Sequence, residues 1–257
     1  IIPKNDEFFS EYSSRDRLKI ISNFSGSAGY AVILKRKNYL FVDGRYTLQA
    51  KIEAGKLFHI TKLEKIFNCN LFKNLTLGID PRLFTSQQIN HFFKKKTFIK
   101  EIEHNLVDSI YNKYSLLQTK PFFSLNKKIV GENHIKKIKK VCVFLKNNKM
   151  DYLFISAPEN VAWLLNIRGF DNPYSPIPNC RLLINKNGKF VLISNLIKLR
   201  KLIKEKKLKK KNVVELNNFQ VFINKLKNKK IIIDNISCSL YYENFFKKKA
   251  KVFLKED

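Results

Sequence analysis

The sequence predicts an α/β protein of two consecutive units. Three observations carry that expectation. Short runs rich in β-branched and aromatic residues alternate with amphipathic helical stretches along the chain. A chain of 257 residues is long enough for two domains of ordinary size. Its 44% hydrophobic and 13% aromatic content supports packed cores in spite of a high charge.

The first unit is read over 1–115. Asp16 opens a short helix, Arg17 to Ser22, because its side chain can accept from the N–H groups of a first turn. Tyr30 to Leu34 and Tyr39 to Val42 form a hairpin around the charged turn Lys35-Arg36-Lys37-Asn38. Tyr46 to Ile52 places apolar residues at helical spacing, and Gly55 stands where a helix-ending glycine belongs. Phe58 to Ile60 and Leu75 to Ile79 read as strands, the latter closing on Asp80-Pro81. Thr85 caps a helix running through Phe93, Thr97 to Ile102 returns as a strand, and Asn105 to Tyr111 closes the unit. Residues 116–130, which are irregular and contain Pro121, are read as a linker.

The second unit is read over 131–257. Its first helix, near Gly131 to Asn147, puts Ile135, Ile138, Val141, Cys142 and Leu145 on one face and lysines on the other. Asp151 leads into the strand Tyr152 to Ile155, and Ser156-Ala157-Pro158-Glu159 starts a helix over Asn160 to Leu165 that carries Trp163 on its apolar face, with a helix end also read at Arg168-Gly169. Arg181 to Ile184 and Phe190 to Ile193 flank Asn187-Gly188, a hairpin signal. A basic helix over Ile197 to Lys211 and strands at Val213-Val214, Ile231 to Ile233 and Val252 to Leu254 complete the alternation.

Cys69, Cys142, Cys180 and Cys238 lie far apart, and none belongs to a C-x-x-C pair. Zinc ribbons and dithiol motifs are thereby set aside, and the cysteines read as reduced core thiols of a cytoplasmic protein. No apolar run approaches the roughly 20 residues of a membrane span. No targeting segment opens the chain; Ile1-Ile2-Pro3 reads as a strand in mid-protein, so the start reads as a truncation. The formal net charge is +29. Lysine far outnumbers arginine, and Lys, Asn, Ile and Phe all have A/T-rich codons, so base composition supplies much of the charge. The runs Lys94–Lys96, Lys136–Lys140 and Lys206–Lys211 are spread along the chain. Both facts point away from nucleic acid.

The common catalytic signatures are missing. There is no H-E-x-x-H, P-loop or G-x-G-x-x-G, and the position two before Ser27 is Ser25 rather than the glycine of a nucleophile elbow. The loop Gly26 to Gly29 reads as a tight turn into a strand, with anion binding through its N–H groups as the other reading. Two constellations remain. In Asp43-Gly44-Arg45-Tyr46 the arginine leaves a strand end with five donors, either to hold a ligand carboxylate or carbonyl or to pair with Asp43. In Arg168-Gly169-Phe170-Asp171, followed by Asn172-Pro173-Tyr174-Ser175-Pro176-Ile177-Pro178, a proline-stiffened loop carries an acid and an aromatic, as a docking surface or a plain connector.

Taken in order, Ile1-Ile2-Pro3 with Ser10-Glu11-Tyr12, Phe24 to Gly29, Asp43 to Ala50, Gly78 to Pro81, Asn105 to Asp108 and Ile155 to Asp171 resemble the two N-terminal domains of Xaa-Pro aminopeptidases, in the creatinase and prolidase superfamily. The resemblance implies two creatinase N-terminal-type domains, each a mixed β-sheet flanked by helices. It implies a third, pita-bread catalytic domain beginning after Asp257 and absent from this chain. That domain would carry two divalent metal ions, manganese by expectation. No catalytic or metal-binding residue is then assigned here. The full-length protein would be a hydrolase that removes a residue preceding proline from short peptides, with these domains gating the active site. Arg45 would contact substrate, and Asp43, Arg168, Asp171 and Tyr174 are candidates to face the active site or the neighbouring domain. Homodimerisation through the catalytic domain belongs to the same expectation. Ser175 to Asn179 departs from the aromatic pattern usual after this motif. The rival reading is a stand-alone interaction module that binds RNA or an acidic partner through its lysine-rich surface.

Overall fold

The computed structural model describes residues 1–10, 15–66, 70–92, 97–111 and 120–255. It divides into two compact units, Ile1–Tyr114 and Ser115–Asp257. The expectations for Glu11 and Tyr12, Cys69, Phe93, Lys94–Lys96 and residues 116–119 lie outside the described residues.

In the first unit a four-stranded mixed sheet runs in the order β1 (Ile2–Pro3), β2 (Gly29–Ile33), β3 (Asn38–Val42) and β4 (His59–Lys62). β2 and β3 form the antiparallel hairpin, and β4 returns parallel to β3. A parallel pair, β5 (Thr76–Ile79) and β6 (Phe98–Glu101), forms a second small sheet. The helices are α1 (Arg17–Ser22), α2 (Thr47–Glu53), α3 (Ser86–Phe92) and α4 (Leu106–Ile110). Their starts follow local chemistry. Asp16 Oδ1 accepts from Lys19 N–H at 3.0 Å and Asn105 Oδ1 from Val107 N–H at 3.0 Å. Thr85 and Gln88 satisfy each other's backbone N–H in a capping box. Leu18, Phe24, Leu40, Val42, Ala50 and Phe58 form the core between sheet and helices.

In the second unit a six-stranded mixed sheet runs β12 (Val213–Val214), β11 (Phe190–Ile193), β10 (Arg181–Asn185), β8 (Tyr152–Ile155), β13 (Lys230–Ile233), β14 (Lys251–Leu254). Its inner strands are apolar without interruption because both faces are covered. Leu153, Ile155 and Ile232 enter one core, while Phe154, Ile231 and Ile233 enter the other. The helices are α5 (Lys127–Val130), α6 (His134–Asn147), α7 (Pro158–Leu165), α8 (Leu196–Lys204), α9 (Phe219–Ile223) and α10 (Leu240–Lys247).

Four expectations change here. Residues 120–130 are not a linker. There β7 (Phe123–Ser124) pairs with β9 (Ile167–Arg168), and Phe122 is fully buried in this unit's core. Leu125 N–H also donates to Asn166 O at 3.0 Å. The tie to β9 comes from a distant downstream segment and leaves no local trace in the sequence. α7 ends at Leu165, the end given by the reading Asn160 to Leu165, with Asn166 in the left-handed region at φ 56°; the helix end read at Arg168-Gly169 is not one. α8 ends at Lys204, well short of Lys211, because a turn through Lys206 (φ 57°) brings Leu208 back into the core. Trp163 is not core: it is 57% exposed. Pro158, Val161, Ala162 and Leu165 take the inward stripe of α7 at the i, i+3, i+4, i+7 spacing, and position 163 falls off it.

Candidate functional site

The two sequence segments singled out in the first unit meet in space. Phe24 to Gly29 enters β2, and Asp43 to Ala50 leaves β3 through a 3-10 turn at Gly44–Tyr46 into α2. The Tyr46 ring packs edge-on against Phe24 at 5.9 Å, and its hydroxyl lies 2.9 Å from Ser27 Oγ. Gly26 is required by this approach: a Cβ there would lie 2.3 Å from the Phe24 ring. Just before the Gly26 to Gly29 loop, Ser25 holds the chain's own Glu53. Ser25 N–H and Oγ–H donate to its two carboxylate oxygens at 2.7 Å, and Gln49 Nε2 donates at 3.0 Å. Burial opposes ionisation of Glu53, but these hydrogen bonds outweigh it and hold its carboxyl below the usual value. Sequence reasoning does not single out Glu53. Its one signal is the i, i+4 spacing from Gln49 on α2.

Asp43 and Arg45 are brought together. Arg45 Nε–H donates to Asp43 Oδ1 at 2.9 Å, and Asp43 also accepts from Arg45 N–H at 3.0 Å. The Arg45 side-chain and backbone hydrogen bonds hold the Asp43 carboxyl below its ordinary range. Arg45 stays 76% exposed, over the Tyr46 ring at 5.6 Å. The arrangement presents an oriented guanidinium at a strand end, a group suited to a carboxylate or a carbonyl.

The other matching segments of this unit are tied together by buried polar bonds. Arg17, 1% exposed, donates to both oxygens of Asp108 at 2.8 Å and to Glu7 at 2.7 Å. Asn105 Nδ2 donates to Asp80 Oδ2 at 2.9 Å.

In the second unit the three remaining candidates have separate roles. Arg168 Nη1 donates to Ala162 O at 3.1 Å and Ile167 O at 2.8 Å, placing its charge at the C-terminus of α7. Asp171 is half-buried with its side chain only 4% exposed; it pairs with Lys198 and accepts from Asn179 N–H at 2.7 Å. Tyr174 is 79% exposed at the tip of the same loop. Lys198 is 27 residues from Asp171, a separation no local motif reveals. The exposed Trp163 lines an apolar groove of about 370 Å³ with Val141, Phe144, Leu164 and Ile232.

Among the described residues no group of three or more His, Cys, Asp or Glu is placed to hold a metal ion. Burial pushes the Cys180 and Cys238 thiols up, which makes them poor nucleophiles. No helix among the described residues is long and apolar enough to cross a membrane.

Residues 114–257 match the family profile of the Creatinase/Prolidase N-terminal domain. A probable Xaa-Pro aminopeptidase P of Coprinopsis cinerea is 32% identical over 192 residues, covering 69% of this chain and 31% of that protein. Xaa-Pro aminopeptidase 1 of Dictyostelium discoideum is 31% identical over 199 residues, covering 69% of this chain and 32% of that protein. The crystal structure of an X-prolyl aminopeptidase from Caenorhabditis elegans, described as a cytosolic enzyme with a di-nuclear active site, superposes with a TM-score of 0.83. That alignment covers 99% of this chain and 45% of the neighbour at 24% identity. The chain belongs to the creatinase/prolidase N-terminal family and corresponds to the N-terminal region of aminopeptidase P. It spans about a third of the length of the curated relatives it matches, 31% and 32% for these two.

Proposed function

We propose that this chain is the non-catalytic N-terminal part of a metal-dependent Xaa-Pro aminopeptidase, which hydrolyses the bond between an N-terminal residue and proline. The identity of 32% over 192 residues with an Xaa-Pro aminopeptidase P carries the reading. The two units are then the two creatinase N-terminal-type domains, gating access so that short proline-containing peptides enter. The metal ions, two and most simply manganese, belong to a catalytic domain outside this chain, as does the surface for a homodimer. A cytoplasmic setting is part of the same reading; the Caenorhabditis relative is described as cytosolic.

Within this function Arg45 binds the substrate peptide, and Asp43 orients it. Their ion pair at 2.9 Å and the exposure of Arg45 support this role. Arg168, Asp171 and Tyr174 shape the loop that faces the catalytic domain, with Tyr174 as the docking side chain. The test is release of arginine from Arg-Pro-Pro in manganese. The 257-residue chain is expected to release none, whereas a protein extended by the catalytic domain releases it. Turnover by the short chain would show a catalytic centre within it. In the extended protein, Arg45→Ala is expected to raise KM about tenfold, the scale of one charge-assisted hydrogen bond. Unchanged KM and kcat remove Arg45 from substrate binding.

A further inference from the structure

Lysines that stand apart in the sequence of the second unit, among them the end of the Lys206–Lys211 run, are brought to one end of its sheet by the fold. β10 is antiparallel to both β8 and β11, whereas β12, β13 and β14 run parallel to their neighbours. Five strands therefore start at one end of the sheet, and the β10–β11 turn lies at the same end. Lys186 and Lys189 occupy that turn, and Lys209, Lys210 and Lys211 precede β12, all exposed. Lys229 and Lys230 lead into β13, and Lys249 and Lys251 into β14, again all exposed. They are contiguous: Lys251 N–H donates to Lys229 O at 2.8 Å, and Asp151 N–H to Lys230 O at 3.0 Å.

The carboxylates are distributed differently. Asp151 stands among these strand starts, where Lys186 engages it at 2.8 Å, and Glu205 sits near Lys201 after α8. Glu159, Glu215 and Asp234 follow β8, β12 and β13 at the opposite end of the sheet. Lys255, exposed after β14, is an exception at the opposite end; base composition sets how many lysines a chain has, but it does not place nine exposed ones at these strand starts. Helix macrodipoles do not account for the pattern either, because their effect fades within the last turn and these lysines lie beyond the helices, at strand starts.

We infer that this end of the sheet docks the phosphate backbone of a nucleic acid without reading its sequence. Six strands at about 4.8 Å spacing give an edge of about 24 Å, long enough to follow several phosphates. Lysine presents flexible point charges that match phosphates and leave base identity unread. None of the exposed large apolar residues of the described second unit lies at these strand starts. A stable protein interface centres on an apolar anchor, which this end lacks.

The test is fluorescence anisotropy on the full chain with a labelled 20-nucleotide uridine RNA, a 20-base-pair DNA duplex and a polyglutamate peptide. One variant changes Lys209, Lys211, Lys229, Lys230, Lys249 and Lys251 to Gln. A control variant with the same charge change alters the exposed Lys51, Lys62, Lys65, Lys73, Lys100 and Lys120. Parent affinity for RNA or duplex is expected to fall about 1000-fold between 50 and 200 mM salt. The edge variant is expected to lose at least about 100-fold at 50 mM salt, and its log–log salt slope for RNA to fall by about 4, whereas the control loses less than about threefold. Thermal melts matching the parent establish that both variants fold. RNA or duplex binding, whichever is tighter, identifies the polymer. Equal losses in the two variants, no binding by the parent, or tighter binding of polyglutamate than of either nucleic acid overturns the inference.

Discussion

Arg17 in the first unit and Lys137 in the second are buried cations, 1% and 4% exposed, with opposite surroundings. Arg17 meets two carboxylates, Glu7 and Asp108. Burial opposes its charge, but the hydrogen bonds and charges of Asp108 and Glu7 outweigh it and raise its pKa. Lys137 meets neutral groups: its ammonium donates to Trp163 O and Asn166 Oδ1, both at 2.7 Å, and lies 4.1 Å from the centre of the Trp163 ring. Burial lowers its pKa, and the Glu132 charge only partly compensates. The first site binds three segments through charge pairing. The second places a cation on the carbonyl end of a helix and under an aromatic face. A buried charge can thus be held by counterions or by dipoles, and the two solutions differ in what removing the cation leaves behind.

The largest effect is expected at Arg17. Arg17→Met removes the buried cation that bridges Glu7 and Asp108, leaving Arg15 at 3.6 Å as a weaker partner of Glu7, and should destabilise the first unit by about 3 kcal/mol. Hydrogen exchange of the β2 and β3 amides reads this unit by itself. A loss below about 1 kcal/mol would mean that the carboxylates are well enough solvated to do without the arginine.

Lys137→Met should cost less, about 2 kcal/mol. The charge-assisted hydrogen bonds are lost, but so is the desolvation of the ammonium. Trp163 is the only tryptophan, so its fluorescence in a urea titration follows the second unit alone. If Lys137→Met proves more damaging than Arg17→Met, dipoles hold a buried cation better than carboxylates do here, and the comparison reverses.

What could be read in advance divides along the same line. Asp16, Asn105 and the Asn187-Gly188 turn act within a few residues, and each appears where the sequence places it. The Arg45–Asp43 ion pair is equally local and is one of the two readings open from sequence. The sequence pattern puts Lys137 on the solvent face of α6, because the helix has an apolar stripe and lysines elsewhere. The groups that draw it inward, Trp163 O and Asn166 Oδ1, lie 26 and 29 residues away. The gathering of the lysines at one sheet edge likewise depends on strand order, which no local pattern contains. The proline loop shows both regimes: Tyr174 is exposed as its neighbours suggest, whereas the Asp171 side chain is turned in to a distant lysine.

The carboxylate solution also carries a pH signature. Burial raises the Glu7 pKa, but the Arg17 charge and hydrogen bond outweigh it, and the folded value lies below the ordinary one. A depressed carboxylate contributes stability in full above the unfolded-state pKa, and loses it as pH falls through the folded value. The first unit should therefore weaken on acidification below about pH 4.3, the ordinary glutamate value. In Arg17→Met this acid limb should flatten in part, since Glu7 loses the strongest of the groups that lower its pKa and keeps Arg15. An equally steep limb in parent and variant would place the acid sensitivity in other carboxylates.

The smallest and most direct change converts one solution into the other. Asn166→Asp puts a carboxylate where Lys137 now has a neutral acceptor. Asn166 already adopts the left-handed conformation at φ 56°, which aspartate tolerates, so the backbone need not change. Charge pairing is gained, while the Asn166 Nδ2–H bond to Glu132 O, 3.0 Å in the parent, is lost. These terms oppose each other, and the net stability change should stay within about 1 kcal/mol. The Lys137 pKa has no such cancellation: a new negative charge can only favour the ammonium. NMR titration of the Lys137 side chain should therefore find it deprotonating at higher pH in the variant than in the parent. A lower or unchanged pKa would show that the protein relaxes to separate the pair, and that the helix carbonyls and the indole ring are the stronger hold on this cation.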